Sequence, residues 1–239
     1  MNADQRNRMQ KKGHSIALDG PAGAGKSTIA KSLAKRLSYI YVDTGAMYRA
    51  LSVYFLSRGL KPEDEEGISE AVGSAEVMIR YHEGQQHVLL NGEDVTGRLR
   101  TEEVSDMASR SSRYASVRAH LLSLQRELAQ TQDVIMDGRD IGTVVLPEAT
   151  LKIFLTASPQ VRAKRRYDQL KEQGILNGET LSGIEADIRE RDYRDSHREN
   201  APLKQAEDAV LLDSSGLTAA EVEDEIIRLL QEKLAHENE

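Results

Sequence analysis

The sequence predicts an α/β fold in which a central parallel sheet is flanked by helices. Two observations lead to this prediction. Short apolar segments typical of buried strands alternate with longer segments in which apolar residues recur at helical spacing. The first apolar segment also ends in a glycine-rich turn that opens a helix, an arrangement typical of a phosphate-binding loop.

The N-terminal quarter of the chain predicts a strand–helix–strand–helix unit. Its strands are residues 15–20 and 39–42, and its helices are residues 26–37 and 45–59, the second of which ends at Gly59. Consecutive strands that are joined through a helix lie parallel, with a right-handed crossover. We therefore expect these elements to begin the central sheet.

The pattern changes after the second predicted helix. Residues 61–75 are acidic and contain glycine. Residues 77–96 are typical of antiparallel strands, joined near Gly84 and turned at Asn91-Gly92. This stretch therefore predicts a small inserted β unit rather than another strand–helix repeat.

The C-terminal part of the chain predicts further helices and core strands. Helical spacing predicts two helices between residues 102 and 131, and charged helical segments between residues 159 and 200 that are broken near Gly174–Gly183. Apolar runs predict strands at 133–137, 151–157 and 209–213, and a last amphipathic helix covers 217–234.

These elements fit one domain over residues 15–234. Its core comprises 15–60, 100–157 and 205–234, with a β-rich insertion at about 62–98 and a lid and closing segment at about 158–200. Residues 1–14 are polar and basic, and we expect a disordered tail there, with a nucleic-acid-binding arm as the alternative. Residues 235–239 form a second short tail.

Composition excludes several classes of protein. Acidic residues outnumber basic ones 39 to 32, and the net charge of −7 argues against nucleic-acid or membrane partners. Without cysteine there is no disulfide, thiolate zinc site or cysteine nucleophile, and the six scattered histidines form no metal motif. The chain has no apolar run that could span a bilayer and no signal peptide, so we expect a cytoplasmic protein.

The most specific local motif is Gly20-Pro-Ala-Gly-Ala-Gly-Lys-Ser27, which matches G-x-x-x-x-G-K-[ST]. Its glycines let backbone N–H groups point at phosphate oxygens, and the following helix adds the positive end of its dipole. Lys26 would reach the β- and γ-phosphates, and Ser27 would offer its hydroxyl to Mg²⁺. Asp137, which follows an apolar run, is the candidate second acid that helps to hold Mg²⁺.

Three classes of phosphate-loop protein compete. A GTPase would need the guanine-reading motif N-K-x-D, which the chain lacks, and a motor or transporter ATPase would need more chain or a partner. A small-molecule kinase needs a compact core, an acceptor-binding insertion and arginines that close over phosphates. Seven of the 21 arginines lie between residues 160 and 200, which favours a kinase. We expect about half of those seven to face nucleotide and the rest to pair with interleaved acids.

Six longer segments carry a resemblance to a known family: DGPAGAGKST (19–28), DTGAMYR (43–49), GRLRTEEVS (97–105), DGRDIGTVVLP (137–147), LKIFLTAS (151–158) and ERDYRDSHREN (190–200). Through them the chain resembles the bacterial cytidylate kinases of the nucleoside-monophosphate kinase family, over nearly all of residues 15–234. The resemblance implies the phosphate-loop kinase fold of that family, with an acceptor-binding insertion and a mobile helical lid.

The resemblance also implies a role for individual residues. Lys26, Arg139 and the lid residues Arg162 and Arg166 would act on the transferring phosphoryl group. A cytosine amine needs an acceptor such as Asp140, while the ring O2 and N3 need donors. The implied ATP site comprises Gly20, Pro21, Ala22, Gly23, Ala24, Gly25, Lys26, Ser27 and Thr28. The implied CMP site includes Thr44 and Arg49. In that site Ser109, Arg118 and Asp140 would read the cytosine, Arg139 and Arg198 would bind the phosphate, and Asp195, with Arg191 beside it, would bind the ribose.

The implied reaction is direct in-line transfer of the γ-phosphoryl group of ATP to CMP and dCMP in a monomeric, Mg²⁺-dependent enzyme of pyrimidine nucleotide metabolism. Two alternatives stay open from the residues themselves. One is a related kinase that acts on UMP, or on a phosphorylated or hydroxylated small metabolite. The other is a binding module in which ATP only switches a partner-binding face.

Overall fold

The computed structural model describes residues 13–130 and 132–236. Its strands are β1 (Ser15–Asp19), β2 (Ile40–Asp43), β3 (Val77–His82), β4 (Gln85–Leu90), β5 (Glu93–Asp94), β6 (Val134–Gly138), β7 (Leu151–Thr156) and β8 (Val210–Asp213). Its α-helices are α1 (Lys26–Leu37), α2 (Thr44–Ser57), α3 (Glu65–Val72), α4 (Glu102–Ser111), α5 (Ala115–Leu128), α6 (Pro159–Glu172), α7 (Leu181–His197) and α8 (Ala219–His236).

A parallel sheet lies at the centre of the described part of the chain, with its strands in the order β2-β6-β1-β7-β8. Strand β1 is the middle strand, and Asp19 at its end lies beside Gly138 of β6 and Phe154 of β7. The carboxyl ends of these strands therefore meet at one edge of the sheet, where ligands bind in open α/β folds. The predicted fold class, a central parallel sheet flanked by helices, is confirmed.

Alternating side chains of β1 divide the core into two layers. Ile16 and Leu18 pack with Leu33 of α1 and Ile226 of α8, whereas Ala17 packs into the other layer with residues of α2, α4 and α5. This alternation is the period of two that a strand imposes on its side chains. A smaller cluster of Ala163, Leu170 and Ile184 holds α6 against α7.

The segment between α2 and α4 forms a second sheet. Strands β3, β4 and β5 are antiparallel, as the junction near Gly84 and the Asn91-Gly92 turn predict. Helix α3 precedes this sheet and was not among the predicted elements. Asp64 caps it by accepting from the N–H of Gly67, and Ile68 and Val72 are its buried residues. Two apolar positions in an acidic segment are too few to reveal a helical period.

The ends of the domain differ slightly from the predicted boundaries. His14 belongs to the ordered region, because Val134 N–H donates to its carbonyl oxygen at 2.9 Å. Helix α8 continues to His236, so residues 235 and 236 are helical. The remaining tail residues, 1–12 and 237–239, lie outside the described residues. Among the helices that are described, none is long and apolar enough to cross a membrane.

Candidate functional site

The phosphate loop connects β1 to α1 at the carboxyl edge of the sheet. Gly20 has φ of +146°, and a Cβ atom there would lie 1.9 Å from the carbonyl oxygen of Leu155 on β7, so only glycine fits. The Lys26 ammonium group folds back over the loop and donates to the carbonyl oxygen of Pro21 at 2.8 Å. The predicted loop thus has its lysine and its helix N-terminus on the same side, where an anion can be bound.

Asp137 ends β6 directly beside the loop. Its Oδ2 accepts from the Ser27 hydroxyl at 2.7 Å, and its Oδ1 accepts from the Tyr41 hydroxyl at 3.2 Å. Burial raises the pKa of Tyr41, so its hydroxyl stays protonated and acts as a donor. The structure therefore brings Ser27 and Asp137 together as predicted, and adds Tyr41 as a residue that orients the carboxylate.

Burial disfavours the charged forms of Lys26 and Asp137, and a bound phosphate would favour the charged form of the lysine. Burial lowers the pKa of Lys26, and the positive charge of Arg139 lowers it further. Burial raises the pKa of Asp137, with the Asp43 carboxylate adding to the rise and Lys26 opposing it. Anionic phosphate oxygens next to Lys26 would favour its charged form.

Ser27 and Asp137 also suit Mg²⁺. They offer hydroxyl and carboxylate oxygens, and Mg²⁺ is usually held by one or two protein oxygens together with substrate phosphates and water. Within the described ranges, no three His, Cys, Asp or Glu residues are grouped so that they could hold an ion. The two residues therefore fit a metal that is shared with bound nucleotide.

The next site residues follow β2, at the start of α2. Asp43 caps α2 by accepting from the N–H of Ala46 at 2.9 Å, and its other oxygen pairs with Arg49 Nη2 at 2.9 Å. Thr44 donates its hydroxyl to the carbonyl oxygen of Asp137 at 2.8 Å. Thr44 and Arg49, both predicted CMP-binding residues, thus lie next to the end of β6.

Two buried carboxylates gather most of the other predicted residues. Asp140 forms ion pairs with Arg118 and with Arg198, the latter at 3.6 Å. Asp195 accepts from Arg139 Nε at 2.9 Å. Burial raises the pKa of Asp195, but Arg139 and other nearby guanidinium groups outweigh that effect and lower it overall. The arginines are therefore spaced by carboxylates and held away from solvent.

Arginine charges exceed the carboxylates that neutralise them at this point. Burial lowers the pKa of Arg191 to about 10, and the charge of Arg139 contributes to the decrease. Burial and the charge of Arg118 also lower the pKa of Arg198. Such decreases mean that an additional anion would be favoured here.

Several buried donors at this site make no hydrogen bond. An unsatisfied buried polar group costs about 1–3 kcal/mol, so a group of them calls for an explanation. Four of the five such side-chain atoms among the described residues belong to predicted CMP-binding residues: Arg49 Nε, Ser109 Oγ, Arg191 Nε and Arg198 Nη2, the fifth being Thr143 Oγ1.

The lid arginines differ in their placement. Arg162 is 3% exposed, donates to the carbonyl oxygen of Ala22 at 3.0 Å, and pairs with Asp192 of α7. Arg166 is exposed and donates to Gln169 at 3.3 Å, so the structure does not bring it to the phosphate loop. Arg165 instead lies beside the loop, with Nη1 about 4.0 Å from the Cβ position of Gly25.

Asp19 is a further residue that the sequence analysis did not assign. Its carboxylate oxygens accept from the N–H groups of Ile141 and Gly142 at 2.8 and 2.7 Å, which holds the segment after Asp140 in place. Burial raises the pKa of Asp19 to about 6, and the two hydrogen bonds limit the rise. The position of Asp19 at the end of a predicted strand could have marked it as a site residue. Its hydrogen-bond partners could not be predicted, because they lie more than 120 residues away.

Comparison with known proteins places the chain among relatives of known family. The family model described as "Cytidylate kinase" matches residues 16–232. The cytidylate kinase of Lactobacillus gasseri is 48% identical over 229 residues, with 94% of this chain and 99% of the relative covered. The cytidylate kinase of Caldicellulosiruptor saccharolyticus is 48% identical, with 93% of this chain and 97% of the relative covered.

Solved structures support the fold. A gluconokinase from Sinorhizobium meliloti has a TM-score of 0.50 at 15% identity, covering 96% of this chain and 100% of that one. An uncharacterized protein from Eubacterium ventriosum has a TM-score of 0.52 at 11% identity, covering 91% of this chain and 98% of that one. The family model matches residues 16–232, and the relatives are covered over almost their whole length, so the chain belongs to the cytidylate kinase family of enzymes.

Proposed function

We propose that this enzyme transfers the γ-phosphoryl group of ATP to the phosphate of CMP or dCMP, giving ADP and CDP or dCDP. The observation that carries the proposal is the set of buried guanidinium N–H donors, in a chain with a phosphate loop, that make no hydrogen bond. Guanidinium groups bind phosphate oxygens in a bidentate manner and remain protonated at neutral pH. They therefore suit an acceptor that is itself a phosphate.

The donor nucleotide would be bound by the loop from Gly20 to Thr28. Its backbone N–H groups and the N-terminus of α1 face the phosphates, and Lys26 would exchange its bond to Pro21 for a phosphate oxygen. Arg162 already rests on the loop through Ala22. Together these groups would stabilise the negative charge that spreads over the transferring phosphoryl group.

The acceptor phosphate would be held by Arg49, Arg139 and Arg198. Its oxygen is already anionic, so in-line attack needs no strong general base and no covalent enzyme intermediate. The work of the protein is then to align the two phosphates and to neutralise their charge. Arg191 adds positive charge, and Asp195 keeps Arg139 oriented while remaining available to the ribose.

Asp140 would read the cytosine base. A carboxylate accepts from the exocyclic amine of cytosine but meets a carbonyl oxygen at the same place in uracil. Arg118 lies against Asp140, and the buried Ser109 hydroxyl has no partner, so both can donate to O2 and N3 of the ring. This arrangement favours CMP over UMP.

Mg²⁺ would be held by Ser27 and, through water, by Asp137. When bound, it would neutralise phosphate charge and help to orient the donor. The Ser27 hydroxyl and the carboxylate are already within hydrogen-bond distance, and Tyr41 fixes the other carboxylate oxygen.

The proposal keeps the expectations of a cytoplasmic, monomeric enzyme of pyrimidine nucleotide metabolism that acts on free nucleotides.

A coupled assay of ADP release with CMP, dCMP, UMP, AMP and GMP as acceptors tests the proposal. CMP and dCMP should be used well, and UMP should have a kcat/KM at least about 10-fold lower because it lacks the amine that Asp140 accepts. Lys26→Ala should abolish turnover in the same assay while circular dichroism shows a folded protein.

Two results would contradict the proposal. Faster turnover with AMP, GMP or UMP than with CMP would assign a different acceptor. Slow ATP hydrolysis that no nucleoside monophosphate accelerates would instead indicate a nucleotide-switched binding module.

A further inference from the structure

Strand β2 lies at one edge of the central sheet, where backbone groups would ordinarily face solvent. Here the side chain of Gln86 on β4 forms hydrogen bonds with backbone groups of β2. Its Oε1 accepts from the N–H of Asp43 at 2.8 Å, and its Nε2 donates to the carbonyl oxygen of Asp43 at 3.1 Å. One carboxamide thus makes the two hydrogen bonds that a neighbouring strand would make.

A second contact reinforces the first. The Tyr81 hydroxyl of β3 donates to the carbonyl oxygen of Tyr41, at 3.0 Å. Tyr81 and Gln86 are opposite each other in the β3–β4 register, and Tyr41 and Asp43 are two residues apart on β2. The inserted hairpin therefore meets the edge of the central sheet through two side chains at matching spacing.

Asp43 connects the inserted hairpin to Arg49 of the proposed acceptor site. Its carboxylate both caps α2 and pairs with Arg49 at 2.9 Å. Gly45 allows this close approach, because a Cβ atom there would lie 3.0 Å from Arg49 Nη1 and 3.2 Å from Asp43 Oδ1. The orientation of Arg49 thus depends on where the backbone of Asp43 is held.

We propose that Gln86 is a positioning residue for the acceptor phosphate, acting through Asp43 on Arg49. The inference rests on the proposed function, in which Arg49 binds the phosphate of CMP. Gln86 accepts from the N–H of Asp43 and donates to its carbonyl oxygen, so it holds the two peptide units that flank the Cα atom of Asp43. The insertion would in this way contribute to catalysis without contacting the phosphate itself.

Gln86→Met tests the proposal, because methionine keeps the approximate size of the side chain and removes both hydrogen bonds. A misplaced Arg49 should lower kcat/KM for CMP by about 10-fold or more, while KM for ATP stays within about twofold. Gln85→Met is the matched control, since Gln85 is exposed on the same strand, and its kinetics should equal those of the unmodified enzyme.

Binding separates positioning from a general structural effect. Arg49 would contact the phosphate and not the base, so Gln86→Met should weaken calorimetric binding of CMP about 10-fold and leave that of cytidine unchanged. Gln86→Glu keeps the bond from Asp43 N–H but cannot donate to its carbonyl oxygen, so it should show the same selective loss. It replaces Gln86→Met if urea unfolding shows that the methionine variant is not folded.

A double-mutant cycle with Arg49→Ala decides whether Gln86 acts through Arg49. If it does, Gln86→Met should have little further effect on kcat/KM for CMP in the Arg49→Ala enzyme. Independent, additive losses, equal losses for CMP and ATP, or normal kinetics of Gln86→Met would overturn the inference. The proposed function fails separately, if the unmodified enzyme does not phosphorylate CMP or if Arg49→Ala leaves CMP use intact.

Discussion

In the proposed function, base selection depends most directly on Asp140. It is buried with Arg118 and Arg198 around it, and a carboxylate can only accept hydrogen bonds. Asp140→Asn keeps the size of the side chain but introduces a donor and removes the charge that both arginines face. We expect kcat/KM for CMP to fall by about 10- to 100-fold, the range for hydrogen bonds to charged groups, and kcat/KM for UMP to fall less.

Steady-state kinetics with each substrate varied in turn measure this effect. The KM for ATP should change little, because in the proposed function ATP is bound by the phosphate loop, on another segment. Asp187→Asn is a suitable control, since Asp187 is an exposed acid of α7. If Asp140→Asn reduced the use of ATP and CMP equally, Asp140 would not read the base.

At the same scale, residues differ in how far the sequence could assign them. The positions of Lys26 and Ser27 in the loop were predictable because both belong to a contiguous motif whose geometry is set by the loop itself. Gln86 and Asp19 were not, because their partners lie 43 and more than 120 residues away, and hydrogen bonds between distant segments leave no local spacing. Arg166 was assigned to the phosphoryl group from the sequence, but it is exposed and donates to Gln169. The spacing of arginines in a charged helix does not show which of them face solvent.

Among the elements, the turn between β1 and α1 is the one most tightly constrained by its neighbours. A Cβ atom on Gly20 would lie 1.9 Å from the backbone of Leu155, which cannot move without disturbing β7. Gly20→Ala should therefore lower the free energy of unfolding by about 3 kcal/mol or more. For a chain of this size that corresponds to a decrease in Tm of roughly 6–12 °C.

Urea and thermal unfolding of purified variants test this expectation. Gly97→Ala is the control, because no atom lies within 4 Å of a Cβ at that glycine, and its stability should stay within about 0.5 kcal/mol of the unmodified protein. Unaltered unfolding of Gly20→Ala would mean that the loop can move away from β7.

The elements themselves were predictable where one periodicity dominates. Helix α1 has the predicted bounds because Ile29, Leu33 and other apolar residues recur on one face above the sheet. Helix α3 was missed because it buries only Ile68 and Val72 and its other residues are polar or small. The turn Ile141–Val145 is π-helical, and Arg126 from α5 donates to its last two carbonyl oxygens. This contact could not be predicted, because it joins segments that share no local sequence pattern.

For the whole molecule, the net charge of −7 conceals a local group of arginines at the carboxyl edge of the sheet. Many of the acids lie on exposed helix faces, where pairs such as Arg189 with Glu185 contribute little to stability. The arginines at the carboxyl edge of the sheet are partly buried, and the pKa of Arg191 is lowered to about 10 by burial and by Arg139. Where each charge lies therefore says more than the net charge, because a bound anion would favour these partly buried cations, whereas solvent already screens the charges at the surface.

This arrangement predicts that the acceptor phosphate stabilises the entire fold. At a CMP concentration about 100 times its Kd, linkage adds about 2.7 kcal/mol to the free energy of unfolding, which corresponds to a rise in Tm of roughly 5–10 °C. Cytidine at the same concentration should raise Tm far less, because it lacks the group that would offset the repulsion that Arg139 and Arg49 exert on Arg191. Differential scanning calorimetry at fixed ionic strength measures both shifts, and Arg139→Ala should reduce the CMP shift while that of ATP largely persists. Equal shifts with CMP and cytidine would show that the base, and not the phosphate, supplies the binding energy, and the buried arginines would then need another explanation.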